Sequence, residues 1–128
     1  PNPLPGTAIM CLTQGGCQLG LRLAAAMGDC RVFVPQRLAL PDASGPEVQY
    51  FADWNQTFAE VFNSYQRIIC IMAAGIVVRS LAGHLQSKYR DPAMVVMDEK
   101  GQYAISLLAG QLEAVLMKAV ERYGKGAG

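Results

Sequence analysis

The sequence predicts an α/β domain: three layers around a mainly parallel sheet of about five strands, with an antiparallel hairpin at one edge. Three observations carry this. Short apolar runs, too brief for buried helices, recur at 7–12, 31–34, 68–72, 93–97 and 103–107. Segments with helical spacing stand between most of them, and alternation of this kind gives a parallel sheet with helices on both faces. The last two runs are joined by Asp98-Glu99-Lys100-Gly101, a turn sequence, so they pair as a hairpin.

The elements follow in order. Residues 1–6 read as a flexible leader without the basic start of a signal peptide. Thr7 to Leu12 suits a strand buried on both faces, and Thr13-Gln14-Gly15-Gly16 turns the chain. From Cys17 to Met27 the residues Leu19, Leu21, Leu23, Ala24 and Ala26 favour a helix closing at Gly28. Arg31 to Val34 is a strand stopped by Pro35. Residues 36–55 read as irregular, punctuated by Pro41, Ser44-Gly45-Pro46 and Asp53, with only Val48 to Phe51 extended. Phe58, Val61, Phe62 and Tyr65 fall at i, i+3, i+4 and i+7, which marks an amphipathic helix over 56–65. Ile68 to Met72 is a buried strand, and Ala73-Ala74-Gly75 turns into a helix over 76–85. After the strands at 93–97 and 103–107, Leu112, Val115, Leu116, Ala119 and Val120 share one face of a closing helix over 112–123. Residues 7–123 thus form one domain, followed by a glycine-rich tail at 124–128. A chain that starts at Pro1 and ends in that tail reads as an excised part of something longer.

Composition excludes several classes. Half the chain is apolar (52%) and only 16% is charged, which rules out long disorder, collagen and coiled coil. Eleven basic against ten acidic side chains leave a net charge of +1, so no bulk pull towards nucleic acid is expected. The longest apolar stretch, Ile68 to Val78, is too short to span a membrane. Cys11, Cys17, Cys30 and Cys70 lack both C-x-x-C and zinc-ligand spacing. They are expected to be buried free thiols in a cytoplasmic protein, without a metal or cofactor.

In open α/β sheets ligands bind at the carboxyl ends of the strands. Three turns qualify: 13–16, 73–75 and 106–110. The first does not spell G-x-G-x-x-G, and no acidic residue ends the second strand, so a dinucleotide is not expected. From Val61 to Arg90 there is no acid, while Arg67, Arg79, Lys88, Arg90 and the single His84 lie there. Such a stretch suits an anionic ligand; the plainer reading is a solvated basic face. His84 is a candidate acid/base or a packed helix residue. No G-x-S-x-G elbow is present, and Ser106 has no base beside it in sequence. Asp91 and Asp98 either flank a cleft or serve as loop and hairpin-turn residues.

One set of motifs goes further. Ile68 to Arg79 contains G-I-V-V-R, Lys88 to Ala93 contains K-x-x-D-P-A, and Asp98-Glu99-Lys100-Gly101 leads to Ser106-Leu107-Leu108. In this order and spacing they resemble the N-terminal domain of the cobalamin-biosynthesis CbiG family, the cobalt-precorrin-5A hydrolases. The close likeness covers roughly 40 residues, and the earlier β-α-β fits in pattern only.

The resemblance implies a step in the anaerobic cobalamin pathway, in which water opens the δ-lactone of cobalt-precorrin-5A and acetaldehyde is lost. It implies two partners, the polycarboxylate corrinoid substrate and a C-terminal domain of the same protein. Arg79 and Lys88 would hold substrate carboxylates, with Gly75, Ser106 and Gly110 at the turns beside them. Backbone N–H groups of Ala109-Gly110 would stabilise the oxyanion, and Asp91 or Asp98 would act as the base. The chain departs from the family after Ser106-Leu107-Leu108. Ala109, Gln111, Glu113-Ala114 and Leu116 replace the usual serine, histidine, glycine pair and asparagine, and Gly83 stands where proline is common. A glutamine amide does not titrate, so histidine chemistry is excluded at that point. The alternative implied is a diverged, non-catalytic corrinoid-binding domain.

Overall fold

A computed structural model describes residues 6–38, 40, 47–85, 91–108, 117, 118 and 120–122. The elements are β1 (Thr7–Cys11), α1 (Gln14–Met27), β2 (Cys30–Pro35), β3 (Glu47–Phe51), α2 (Trp54–Ser64), β4 (Arg67–Ile71), α3 (Ala74–Leu81), β5 (Ala93–Met97) and β6 (Ala104–Leu108). They build one sheet in the order β3-β2-β1-β4-β5-β6. All pairs are parallel except β5 with β6, which are antiparallel as the turn sequence predicts.

The sheet has six strands rather than about five. The segment read as irregular contains β3, which pairs with β2 from Arg31↔Glu47 to Pro35↔Phe51. Its signal is weak because it is an edge strand: Glu47, Gln49 and Tyr50 are exposed, so it carries no apolar run. The helices at 17–27, 56–65 and 76–85 are observed at 14–27, 54–64 and 74–81. Residues 117, 118 and 120–122 are helical, while the remainder of the closing helix lies outside the described residues.

Side-chain alternation divides the core in two. Ile9, Val32, Val34, Ile69, Ile71, Val95 and Met97 point to one face, where Leu19, Leu23 and Ala24 of α1 and Val120 cover them. Ala8, Met10, Phe33, Ile68, Cys70, Met94 and Val96 point to the other, under Phe58, Val61 and Phe62 of α2 and Val77 and Leu81 of α3. Chirality explains the division. The β1-α1-β2 connection steps one way across the sheet and β4-α3-β5 steps the other way, so right-handed crossovers put α1 and α3 on opposite faces. Leu38 and Leu40, between β2 and β3, pack on the α1 side.

Gly20 makes the close seating of α1 possible. A Cβ there would lie 3.1 Å from Ile9 Cγ2 and 3.5 Å from both Ile71 Cδ1 and Val32 Cγ1. The second helix carries the aromatic stripe seen in the sequence: Phe58 is 1% exposed and its ring lies 5.9 Å from that of Phe62.

One cysteine expectation is corrected. Cys11 and Cys17 form a disulfide, with Cα atoms 5.2 Å apart, because α1 starts only three residues after β1 and its first turn brings Cys17 back against the end of that strand. Cys30 and Cys70 are free and buried. Burial pushes the Cys70 thiol up to about 12. Burial and, less strongly, the Asp29 carboxylate raise Cys30 to about 11, against the opposing charge of Arg67. No described helix is long and apolar enough to cross a membrane.

Candidate functional site at the strand carboxyl ends

The connections from β1 and β4 leave in opposite directions, so a crevice opens between their carboxyl ends, the usual place for a ligand in such sheets. It encloses about 340 Å³ and is lined by Leu12 and Thr13 after β1, Met72, Ala73 and Ile76 after β4, and Asp98, Glu99 and Tyr103 in the hairpin turn. A second cavity of about 320 Å³ lies at the carboxyl ends of β2 and β3, lined by Pro35, Gln36, Arg37, Phe51, Ala52 and Trp54. Leu12 borders both.

Two helices begin at the crevice, and their starts differ. At α1, Thr13 Oγ1 accepts a hydrogen bond from Gly16 N at 3.0 Å, which caps the helix. Gly15 has no Cβ to obstruct the Glu99 carboxylate, which rests against that first turn. This places a negative side chain at the positive end of the α1 dipole. At α3 the N-cap is Ala73, which supplies no side-chain hydrogen bond. Ala73 and Gly75 are exposed, and a Cβ on Gly75 would meet nothing within 4 Å. Arg79 follows Gly75 by four residues, so both lie on one face of α3.

Asp98 organises the hairpin turn. Its Oδ1 accepts backbone N–H bonds from Gln102 at 2.8 Å and Tyr103 at 2.9 Å, and its carbonyl accepts Gly101 N at 3.1 Å. The carboxylate is half-buried in the crevice wall, so one residue both shapes the turn and faces the space a ligand would fill.

Of the residues singled out in the sequence, Gly75 and Asp98 belong to this end of the sheet, whereas Arg79 lies in the last turn of α3, outside the crevice lining. Asp91 precedes β5 and Asp98 follows it, so they stand at opposite ends of one strand rather than across one cleft. Ser106 sits in the middle of β6, opposite Val95. Because β6 runs antiparallel, Leu108 pairs with Met94, and the chain leaves towards the amino ends of the parallel strands. Lys88, Ala109, Gly110, Gln111, Glu113, Ala114 and Leu116 lie outside the described residues. Of the acid-free stretch's Lys and Arg residues, only Arg67 and Arg79 are described, and these two stand apart: Arg67 Nε donates to Gly6 O at the amino end, whereas Arg79 is exposed on α3. The His84 ring packs 5.7 Å from Phe62 and 5.9 Å from Phe58, as a packed helix-end residue would. Gly83 has φ 86°, a conformation that proline cannot adopt. Among the described residues, no group of three or more His, Cys, Asp or Glu is placed to hold a metal.

Sequence reasoning missed Glu99, Tyr103, Arg37 and Trp54. The first two lie inside the hairpin motif, where the sequence reads Glu99 as a turn residue and Tyr103 as the start of a strand. The carboxyl-end rule applied to Gln36-Arg37 would have flagged the second cavity. The sequence reads Val48 to Phe51 only as an extended piece of an irregular segment, so the pairing of β3 with β2 that forms this cavity is not visible in it.

The comparisons with known proteins agree with this architecture. Residues 56–118 match the family described as cobalamin synthesis G N-terminal. A cobalt-precorrin-5A hydrolase of Salmonella typhimurium is 39% identical over 103 residues, which cover 80% of this chain and 28% of that protein. Another cobalt-precorrin-5A hydrolase, from Priestia megaterium, is 30% identical over 106 residues, covering 82% of this chain and 28% of that one. A solved cobalamin biosynthesis protein G homolog from Sulfolobus solfataricus shares the fold, with a TM-score of 0.66 and 18% identity over 95% of this chain and 35% of its own. The chain thus spans under a third of the length of these two hydrolases. The match to the cobalamin synthesis G N-terminal family thus runs through residues 56–118, which hold most of α2, then β4, α3 and the hairpin that walls the crevice.

Proposed function

We propose that this chain serves as the corrinoid-engaging N-terminal domain of a cobalt-precorrin-5A hydrolase. The observation that carries the proposal is the 39% identity to a protein of that name over 103 residues, 80% of this chain. In the reaction, a water oxygen adds to the lactone carbonyl, the ring C–O bond breaks, and a carboxylic acid and an alcohol result. Loss of the two-carbon fragment as acetaldehyde follows. Such a step needs a base for the water, donors for the tetrahedral oxyanion and an anchor for the substrate.

Each role has a candidate on the elements that line the crevice. Asp98 acts as the base through Oδ2, since Oδ1 holds the two turn N–H groups. The first turn of α3, which lacks a side-chain cap, offers backbone N–H groups at Ala74 and Gly75 to the oxyanion or to a substrate carboxylate. Arg79, on the same face, pairs with a carboxylate of the macrocycle rim, and Lys88 and Gly110 remain proposed contacts. Asp91 and Ser106 face elsewhere on the sheet and serve, in this reading, contacts away from the lactone. The reading includes a C-terminal domain as partner and a cytoplasmic setting.

The test is a chimera in which this chain replaces the matched region of the Salmonella protein. Given cobalt-precorrin-5A, a folded chimera is expected to release acetaldehyde. A chimera that folds and releases none refutes the proposal.

A further inference from the structure

The crevice used above takes up one side of Leu12, and the cavity on its other side has no part in that chemistry. That second cavity has a built character. Its floor is apolar and aromatic: Phe51 is buried, and its ring lies 6.1 Å from that of Trp54. The Trp54 indole is fixed from behind, donating Nε1–H to Ser80 Oγ at 2.8 Å and packing 5.5 Å from Phe58. At the rim, Arg37 is exposed, and its Nη2 donates to the Leu12 carbonyl at 2.6 Å. That bond anchors the guanidinium beside the boundary between the two cavities and leaves its other N–H groups to face solvent.

A rigid aromatic floor beside a positioned guanidinium suits one kind of ligand: a broad apolar ring system with carboxylates at its edge. Neither cavity alone, at about 340 and 320 Å³, holds a tetrapyrrole-sized molecule, but both open along the same row of strand ends. We infer that Phe51, Trp54 and Arg37 form a second binding subsite, which seats the far edge of a polycarboxylate macrocycle while its reacting edge lies in the crevice. The inference rests on the corrinoid reading above and deepens it: Trp54 supplies apolar contact, and Arg37 selects a free carboxylate over an amide. The subsite thus distinguishes a macrocycle with free edge carboxylates from one whose carboxylates are amidated.

Absorbance titrations with two stable probes test this, cobyrinic acid with its carboxylates free and cobinamide with them largely amidated. The wild-type chain is expected to bind cobyrinic acid more tightly. Arg37→Gln should weaken cobyrinic acid by about tenfold and leave cobinamide nearly unchanged, as expected for loss of one charge-assisted contact. The indole N–H resonance of Trp54, the single tryptophan, should shift when either probe binds. If the wild type binds but Arg37→Gln keeps the preference and the indole resonance stays fixed, the subsite is overturned while the corrinoid reading survives. If the folded wild-type chain binds neither probe, both fall together.

Discussion

Asp98 is asked to do two things, and a pair of substitutions separates them. Asp98→Asn keeps a side-chain oxygen that accepts the N–H bonds of Gln102 and Tyr103, now 2.8 and 2.9 Å long, but removes the charge. Hydrogen bonds to a charged acceptor contribute roughly 1.5–3 kcal/mol and neutral ones about 1 kcal/mol. Because the turn is solvated, the loss for Asn should be near 1 kcal/mol. Asp98→Ala leaves both donors to water and should lose about 2 kcal/mol. The chemical consequence is larger and differently distributed. A carboxamide does not take a proton from water, so both variants should lower kcat by about 10²- to 10⁴-fold, or roughly 3 to 5 kcal/mol of barrier. Urea unfolding of the chain gives the first quantity, and acetaldehyde release by the chimera described above gives the second. Backbone exchange adds a local check, since the Gln102 and Tyr103 amides should exchange faster in Ala than in Asn. If Asp98→Asn retains the wild-type rate within threefold while stability falls, Asp98 is a turn residue only and the base lies elsewhere.

Gly20→Val adds γ-carbons where a Cβ alone already meets Ile9 at 3.1 Å, and it should destabilise by about 2 kcal/mol, lowering the urea midpoint by about 1 M; an unchanged midpoint would mean that α1 is not seated on β1. Phe58→Ala opens a cavity under α2 at a side chain only 1% exposed and should lose about 3–5 kcal/mol, measured by the same unfolding curves. The free thiols give a pH dependence. Cys30 and Cys70 are raised from 9.0 in the unfolded chain to about 11 and about 12, so folding holds their protons more tightly. Their contribution is complete below pH 9 and is lost as pH rises towards those folded values. A Cys30→Ala/Cys70→Ala chain should therefore show a flatter decline in thermal midpoint above pH 9, and an identical decline would contradict the assignment.

Much of the architecture is legible along the chain because it depends on local rules. The runs at Ile68 to Met72 and Ala93 to Met97 are apolar on both faces, as parallel strands covered by helices must be, and both are strands. The Phe58-Val61-Phe62-Tyr65 spacing gives the helix and its buried face together. The turn at Asp98 gives the antiparallel pair. The β3 strand was less legible because an edge strand half open to water needs no apolar run, and its identity comes from its pairing with β2. The Cys11–Cys17 pair was missed for a related reason: a six-residue spacing says nothing until a turn brings β1 and α1 together.

By itself, the sequence determined the layer architecture, the family likeness of residues 56–118 and the presence of Asp98 and Gly75 at strand-end turns. Only the tertiary structure decided which of the proposed site residues share one place. Strand direction is the reason. Seven residues of chain put Asp91 and Asp98 at opposite ends of β5, and the reversal into β6 carries Ser106 to Leu108 away from the crevice that the same hairpin walls. Spacing along a chain fixes what a local element is, whereas the order and sense of strands fixes which distant residues meet. For this reason Arg37, 19 residues before the family-matched region, and Trp54, just outside it, line a cavity that meets the crevice across the single residue Leu12.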